Sequence, residues 1–270
     1  MQIGLIAGSG QFPLIFAKTA HAKGWPVYAV AYVNEADPQL EQYVAAIEWL
    51  HLGQVRRLLK FFKRHNVTQT VMMGAIRKTR IFTDVKPDTK AIAMFAGMRG
   101  THDDKLLRAF AQTLEKEGIT VQASTFLLPD LLAPEGCWTR RKPTRSQQTD
   151  LEVGWPLAKA IGHLDIGQCI VMEGGSVLAV EAIDGTDATI LRGGRLGGGE
   201  AVVIKVCKPD QDERFDIPAI GAQTIETMHA AGARVLVIEA GKAVVFDREE
   251  MVALADQFGI AIVALKHTDR

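Results

Sequence analysis

Cysteine is scarce in this chain. The three residues, Cys137, Cys169 and Cys207, stand far apart and none belongs to a Cys-x-x-Cys pair. A zinc ribbon and a disulfide framework are thereby excluded, and reduced, mostly buried thiols are expected. Net charge is lacking too, because 31 basic residues balance 31 acidic ones. A dedicated nucleic-acid binder carries a basic excess, so nucleic acid is not an expected partner. No apolar run approaches the roughly 18 residues of a membrane span. No basic stretch precedes the short apolar start at Ile3, which argues against a secretory signal and for the cytoplasm. The signatures of several large enzyme classes are missing as well. The seven histidines form no His-Glu-x-x-His pair for zinc. Neither a Gly-x-x-x-x-Gly-Lys-Ser/Thr phosphate loop nor a Gly-x-Ser-x-Gly nucleophile elbow occurs.

What is present is alternation. Strands are predicted over 2–7, 26–33, 69–73 and 119–123, and helices over 11–23, 54–65 and 101–118. The second of these helices shows an apolar stripe, Val55, Leu58, Leu59 and Phe62. The third has Thr101 to cap it, Asp103 and Asp104 in its first turn and Gly118 at its end. Such alternation predicts an α/β fold with a parallel sheet covered on both faces.

Composition changes after residue 131. LLAPEGCWTRRKPTRSQQTD holds two prolines and the basic cluster Arg140, Arg141, Lys142 and Arg145. It reads as a solvated linker crossing between two domains over 132–150, with Leu132 and Trp138 able to pack. Beyond it the pattern is again α/β, with a mixed sheet. A helix is predicted over 150–161, a hairpin from strands 169–172 and 177–182, and a helix from Thr186. Strands follow at 201–206, 235–238, 242–246 and 260–264, with helices at 221–231 and 248–258. The glycine run GGRLGGG, 193–199, reads as a mobile loop. The domains are therefore expected at 1–131 and 132–270.

Two stretches carry chemistry. IGLIAGSGQFP runs an apolar strand into Gly8-Ser9-Gly10 and then a helix. The dinucleotide fingerprint needs a third glycine where Pro13 stands, and its ribose-binding acid has only Glu35, beyond the second strand. The fingerprint is broken. What remains is a turn whose amides face an anion, or a glycine turn needed for geometry alone. The second stretch is the pair EAIDGTDA, 181–188, and IKVCKPDQDERFDIPAIG, 204–221. In the first, Asp184 or Thr186 can cap a helix with Asp187 in its first turn. In the second, Lys205 and Lys208 precede Asp210, Asp212, Glu213 and Asp216. A charged solvated loop is the plain alternative. The chemical reading is phosphate chemistry: Mg²⁺ takes one or two carboxylates plus substrate phosphates, and lysines offset phosphate charge.

Taken in order, these blocks resemble the LpxI family of UDP-2,3-diacylglucosamine pyrophosphatases. The resemblance spans nearly the whole chain. It rests on GLIAGSGQFP, HDDKLLRA from His102, LLPDLLAPEG from Leu127, DIGQCIVMEGGSVLAVEAIDGTDA from Asp165, and KPDQDERFDIPAIG. It implies a Rossmann-like N-terminal domain, a C-terminal catalytic α/β domain, and cleavage of the substrate to UMP and 2,3-diacylglucosamine 1-phosphate (lipid X) in lipid A biosynthesis. It implies Mg²⁺, or Mn²⁺, as the metal. Asp216 matches the family's Asp-Leu-Pro-x-Ile-Gly aspartate, with isoleucine in place of leucine here. Thr186 and Asp187 match its Glu-Gly-Thr-Asp block, and Lys205 and Lys208 its Lys-x-x-Lys-Pro turn. The family often has glycine at His102. The implied catalytic residues are Asp216, Lys205 and Lys208, with Asp216 and Asp187 on the metal. Asp212 is a further candidate ligand. Gly8, Ser9, Gly10, Gln11, Phe12, Asp104, Gln168, Thr186 and Asp187 are the implied substrate contacts. Met94, Phe95 and Met98 are candidates for an acyl groove, with core packing as the plain alternative. The expected partners are the substrate and lipid X, the inner-membrane surface at its periphery, and a second copy in a homodimer. Two rivals stand beside this reading: a non-catalytic nucleotide-sugar or lipid-binding module, and an NAD(P)-dependent oxidoreductase.

Overall fold

The computed structural model describes residues 2–76, 85–95, 103–208, 212, 214 and 217–266, the side chains at 95 and 103–105 excepted. The chain forms two compact units. The first holds the described residues up to Leu128 together with Asp212 and Arg214, and the second holds the others from Pro129 onward.

The first unit is built on one parallel sheet. Its strands are β1 (Ile3–Ala7), β2 (Val27–Tyr32), β3 (Ala46–Leu50), β4 (Gln69–Met73) and β5 (Thr120–Gln122), in the order β3-β2-β1-β4-β5. Strand β1 is buried at every position, as the centre of a sheet covered on both faces must be. The helices are α1 (Phe12–Ala22), α2 (Val55–Arg64), α3 (Thr89–Phe95) and α4 (Asp103–Lys116). Helix α2 buries the predicted stripe Val55, Leu58, Leu59 and Phe62, and Phe61 with it. From β1 the chain winds to β2 and β3 on one side, then crosses to β4 and β5 on the other. The switch point falls between β1 and β4.

Arg214 joins this unit through charge. It bonds Asp212 and Glu115 of α4, each at 2.7 Å, and Arg108 lies 3.6 Å from Asp212. The Arg214 hydrogen bond leads the causes that hold the Asp212 carboxyl below the usual carboxylate range.

The second unit has a six-stranded mixed sheet in the order β6-β13-β11-β9-β7-β8. These are β6 (Gly136–Cys137), β7 (Cys169–Glu173), β8 (Ser176–Val180), β9 (Val202–Lys205), β11 (Val235–Glu239) and β13 (Ala261–Leu265). Strands β9, β11 and β13 are mutually parallel, while β6, β7 and β8 pair antiparallel. A short parallel pair, β10 (Ala219–Ile220) and β12 (Val244–Val245), lies apart from that sheet. The helices are α5 (Arg145–His163), α6 (Thr186–Leu196), α7 (Ala222–Ala231) and α8 (Arg248–Phe258). Strand alternation sorts the core into two layers. Val171, Val203, Leu236 and Ile262 pack with Ile190 of α6, Met228 of α7 and Met251 of α8. Ile170, Ile204 and Val237 pack on the other side with Leu151 and Ala158 of α5.

Two expectations are corrected here. The stretch 132–150 is part of the second unit rather than a linker crossing between units. Within it Trp138 packs on the core as expected, and Arg140, Lys142 and Arg145 are exposed. Strand β6 of this stretch pairs with Val263 and Ala264, and α5 already begins at Arg145. Thr144 and Gln147 form a reciprocal capping box that starts this helix five residues earlier than predicted. Nor is the run at 193–199 a loop throughout, because Gly193 to Leu196 complete α6. Its glycines serve contact. A Cβ on Gly193 would stand 2.6 Å from that of Val171, and one on Gly194 would stand 2.0 Å from the Ala231 carbonyl oxygen.

Candidate active site

The second unit carries an open cleft of about 350 Å³. It is lined by Asp184 to Asp187 at the start of α6, Lys205 of β9, Ala219 of β10, and Gln223 and Thr224 at the start of α7. Two helices therefore point their first turns into it, α6 through Thr186 and Asp187 and α7 through Gln223 and Thr224. Neither helix has a side-chain cap at its N-terminus. First-turn amides lack intrahelical partners and mark the positive end of the helix dipole. Lys205 adds a full charge at the end of β9. Its side chain is buried to 8% exposure, and Nζ donates to the Ala219 carbonyl at 3.0 Å. An ammonium has three donors, so others remain for a ligand. Two helix N-termini and one lysine thus line the cleft beside the Asp184 and Asp187 carboxylates, donors of the kind that can receive phosphate oxygens.

The capping expectation fails in detail. The N-cap is Gly185, at φ 83°, where a side chain would be strained. Asp184 instead accepts from the Ala182 amide and pairs with Arg192, both at 3.1 Å. The Arg192 hydrogen bond, and then the Ala182 one, lowers its carboxyl from the ordinary value. Thr186 Oγ1 donates to Glu181 Oε1 at 2.9 Å. Glu181 was not singled out from the sequence. It is buried, and its other oxygen accepts from the Gln168 amide at 3.1 Å. A single carboxylate thus orients Thr186 and ties it to the residue before β7. Beneath lies Cys169, whose thiol is pushed up to about 12, first by burial and then by the Glu181 charge. It stays protonated at neutral pH and is no nucleophile.

Among the sequence candidates, the structure brings Thr186, Asp187 and Lys205 together. Gln168 reaches them through Glu181, and its side-chain Oε1 is buried without a hydrogen-bond partner. Lys208 is not in the cleft wall; its Nζ bonds Asp165 at 2.6 Å. Gly185, Ala219, Gln223 and Thr224 are additions. The signal for the last two was the helix start after the Ile-Pro-Ala-Ile-Gly stretch. Asp216, Asp210 and Glu213, like Met98 and His102, lie outside the described residues. Among the described residues no group of three or more histidine, cysteine, aspartate or glutamate side chains stands placed to hold a metal. The cleft carboxylate that is not paired to an arginine is Asp187, and one carboxylate plus phosphate oxygens is a normal Mg²⁺ set.

The other candidates belong to the first unit. Gly8 donates to the Met73 carbonyl at 2.8 Å, and Ser9 and Ala75 exchange backbone hydrogen bonds at 2.8 and 3.1 Å. Ser9 Oγ also donates to the Ala75 carbonyl. Gly10, at φ 92°, faces open space, and Gln11 is the N-cap of α1 without a side-chain cap bond. Asp104 lies in the first turn of α4. Met94 is half-buried against the first unit's core, which is packing. No helix among the described residues is long and apolar enough to cross a membrane.

Fold and cleft define a two-unit α/β protein with a polar cleft in its second unit, lined by Thr186, Asp187 and Lys205. Comparison with known proteins gives the family. The LpxI N-terminal domain matches residues 2–131 and the LpxI C-terminal domain matches residues 134–263. The UDP-2,3-diacylglucosamine pyrophosphatase LpxI of Caulobacter vibrioides is 31% identical over 282 aligned positions, covering 100% of this chain and 99% of that protein. The chain belongs to the LpxI family. Among solved structures, a leucoanthocyanidin reductase–NADPH complex from Vitis vinifera shares 12% identity over 55% of this chain, at a TM-score of 0.29. The biotin carboxylase subunit of a pyruvate carboxylase shares 11% over 66%, at 0.26. This chain spans 41% and 35% of those structures, and likenesses so slight carry no argument.

Proposed function

We propose that this protein hydrolyses the pyrophosphate of UDP-2,3-diacylglucosamine, releasing UMP and 2,3-diacylglucosamine 1-phosphate for lipid A biosynthesis. The observation that carries it is the meeting of Lys205 with the N-termini of α6 and α7, in a chain whose Caulobacter relative bears that activity in its name. Water oxygen bonds to one phosphorus, the bridging P–O bond breaks, and the water's proton passes to solvent. Lys205 and the first-turn amides of α6 and α7 hold the phosphoryl oxygens, and their charge favours the more anionic transition state. Thr186, fixed by Glu181, orients one of those oxygens. Lys208 offsets further phosphate charge once it exchanges Asp165 for substrate. In the first unit, the candidate nucleotide contacts are those from Gly10 onward in the turn after β1, namely Gly10, Gln11 and Phe12, with Asp104; the Gly8 and Ser9 donors are held by Met73 and Ala75. Mg²⁺, or Mn²⁺, held by Asp187 and Asp216, supplies charge neutralisation and a more acidic water when bound. The reaction is placed at the cytoplasmic side of the inner membrane, and a homodimer is the proposed assembly.

The test is direct. Wild type, Lys205→Met and Asp216→Ala are given UDP-2,3-diacylglucosamine with Mg²⁺ or with EDTA, and UMP and lipid X are followed by mass spectrometry. A charge-assisted hydrogen bond is worth about 1.5–3 kcal/mol, so Lys205→Met is expected to lose roughly 10–100-fold in kcat/KM. A folded wild type that binds the lipid and never cleaves it with any divalent metal overturns the enzyme reading in favour of a binding module.

A further inference from the structure

Lys205 and Lys208 are separated by two residues, one of them Cys207, which is buried beyond the end of β9. The register of β9 with β11 ends at Lys205 and Ile238. Past that point the backbone of Cys207 is held by side chains. Its N–H donates to Glu239 Oε2 at 2.9 Å, and its carbonyl accepts from Lys159 Nζ at 3.0 Å. The two side chains pair with each other at 2.8 Å. Glu239 ends β11 at 1% exposure, and Lys159 reaches over from α5. The Cys207 thiol is itself within 3.8 Å of the Lys242 carbonyl.

A buried ion pair is a poor way to stabilise a fold, since apolar residues of equal volume avoid its desolvation cost. Its presence calls for another account. Besides bonding each other, both charged groups hydrogen-bond the backbone of one residue, the Cys207 beside Lys208, while exposed Lys242 lies 3.7 Å from the other Glu239 oxygen. Neither lines the cleft. We propose that Lys159 and Glu239 are positioning residues: a charged clamp on Cys207 that fixes where the chain leaves β9, and so sets the reach of Lys205 and Lys208. The clamp's catalytic consequence rests on the function proposed above.

The double variant Lys159→Met/Glu239→Gln removes both buried charges together and leaves only the exposed Lys242 to solvent. Val237→Ala, a core truncation on the same strand, serves as the stability control. Each is assayed for turnover of UDP-2,3-diacylglucosamine and for alkylation of Cys207 by iodoacetamide, read by peptide mass spectrometry. Exposed Cys137 is the internal reference. The double variant is expected to alkylate Cys207 faster than wild type and to lose about 10–100-fold in kcat, by analogy with the loss when the outer partners of metal ligands are removed. Val237→Ala is expected to melt lower and keep kcat. If the double variant does not fold, Glu239→Gln alone takes its place in the same assays. The proposal is overturned if Cys207 stays protected, if kcat is unchanged, or if Val237→Ala loses as much kcat. A wild type that does not hydrolyse the substrate sinks the proposed function, while the alkylation rates still decide the clamp.

Discussion

Gly194→Ala separates two accounts of one glycine-rich stretch by the sign of its effect. Alanine is a better helix former than glycine by about 1 kcal/mol. In a mobile loop the substitution is neutral or mildly stabilising, because it restricts the unfolded chain. The packed helix gives the opposite sign. A Cβ on Gly194 meets the Ala231 carbonyl oxygen at 2.0 Å and the Ala231 Cβ at 2.6 Å. The oxygen is backbone and cannot swing aside, so α6 and α7 must part by more than about 1 Å to restore ordinary contact. Overpacking of this kind costs about 3 kcal/mol at the upper end of the usual range. Less the propensity gain, the net loss is about 2 kcal/mol. For a chain of this size that lowers Tm by roughly 4–8 °C. Parting the two helices also moves the N-termini that face the cleft, so affinity for inorganic phosphate should fall with Tm. Thermal melts by circular dichroism, with phosphate titration by calorimetry, read both. A Gly194→Ala variant as stable as wild type would refute the packing argument.

Other expectations follow from single residues. Glu181→Gln keeps the shape but leaves one of two donors, the Thr186 hydroxyl or the Gln168 amide, facing an NH₂ group. It should lose about 1–3 kcal/mol in urea unfolding, and kcat should fall with little change in KM as Thr186 loses its orientation. Gly185→Ala places a side chain at φ 83° and should cost about 1 kcal/mol or more, measured by the same unfolding curves. Hydrogen bonds from Lys63 and then Lys90 lower the Glu117 carboxyl from 4.5 to about 2. Its contribution to stability is thus complete above pH 4.5 and lost as pH falls towards about 2. Glu117→Gln should flatten that acid limb of Tm against pH, and added salt should do the same in wild type.

The legible parts of the fold were those where one physical signal dominates. Strand β4 and helix α8 lie at the residues predicted because strong hydrophobic periodicity ends there at polar residues or glycine. Strand β3 escaped notice because four of its five residues are only half-buried and Glu48 interrupts it. Local signals also compete. In 132–150 the basic cluster outweighed the Thr144–Gln147 capping pair, although that pair marks the true helix start. In 193–199 glycine content suggested freedom, whereas here the missing Cβ permits close approach to Val171 and Ala231, distant in sequence. The site divides similarly. Lys205, Thr186 and Asp187 stand out as residue types suited to phosphate. Glu181 reads as one more acid at a strand end, and only the fold buries it against Thr186 and Gln168.

The turn after β1 is where glycine chemistry and ligand chemistry most need separating. The carboxyl ends of β1 and β4 flank the switch point, the usual ligand crevice of an open α/β sheet. Here the two loops are stitched together. A Cβ on Gly8 would lie 2.5 Å from the Ala75 carbonyl oxygen, and one on Gly74 would lie 2.5 Å from that of Ser9. The amides of Gly8 and Ser9, and the Ser9 hydroxyl, are already donated to Met73 and Ala75. Gly8 and Ser9 therefore account for themselves as closure of the sheet's end. Donors for a nucleotide have to come from Gly10 onward, where the chain faces open space and α1 begins without a side-chain cap. Pro13 agrees with this, since a proline in the first helical turn removes an amide that has no helical partner. Ser9→Ala should consequently lower Tm and leave UMP affinity near wild type. Gln11→Ala, at an exposed N-cap, should do the reverse. If calorimetry shows Ser9→Ala losing UMP affinity at unchanged Tm, the stitched loops open to receive the nucleotide, and the contact reverts to Gly8 and Ser9.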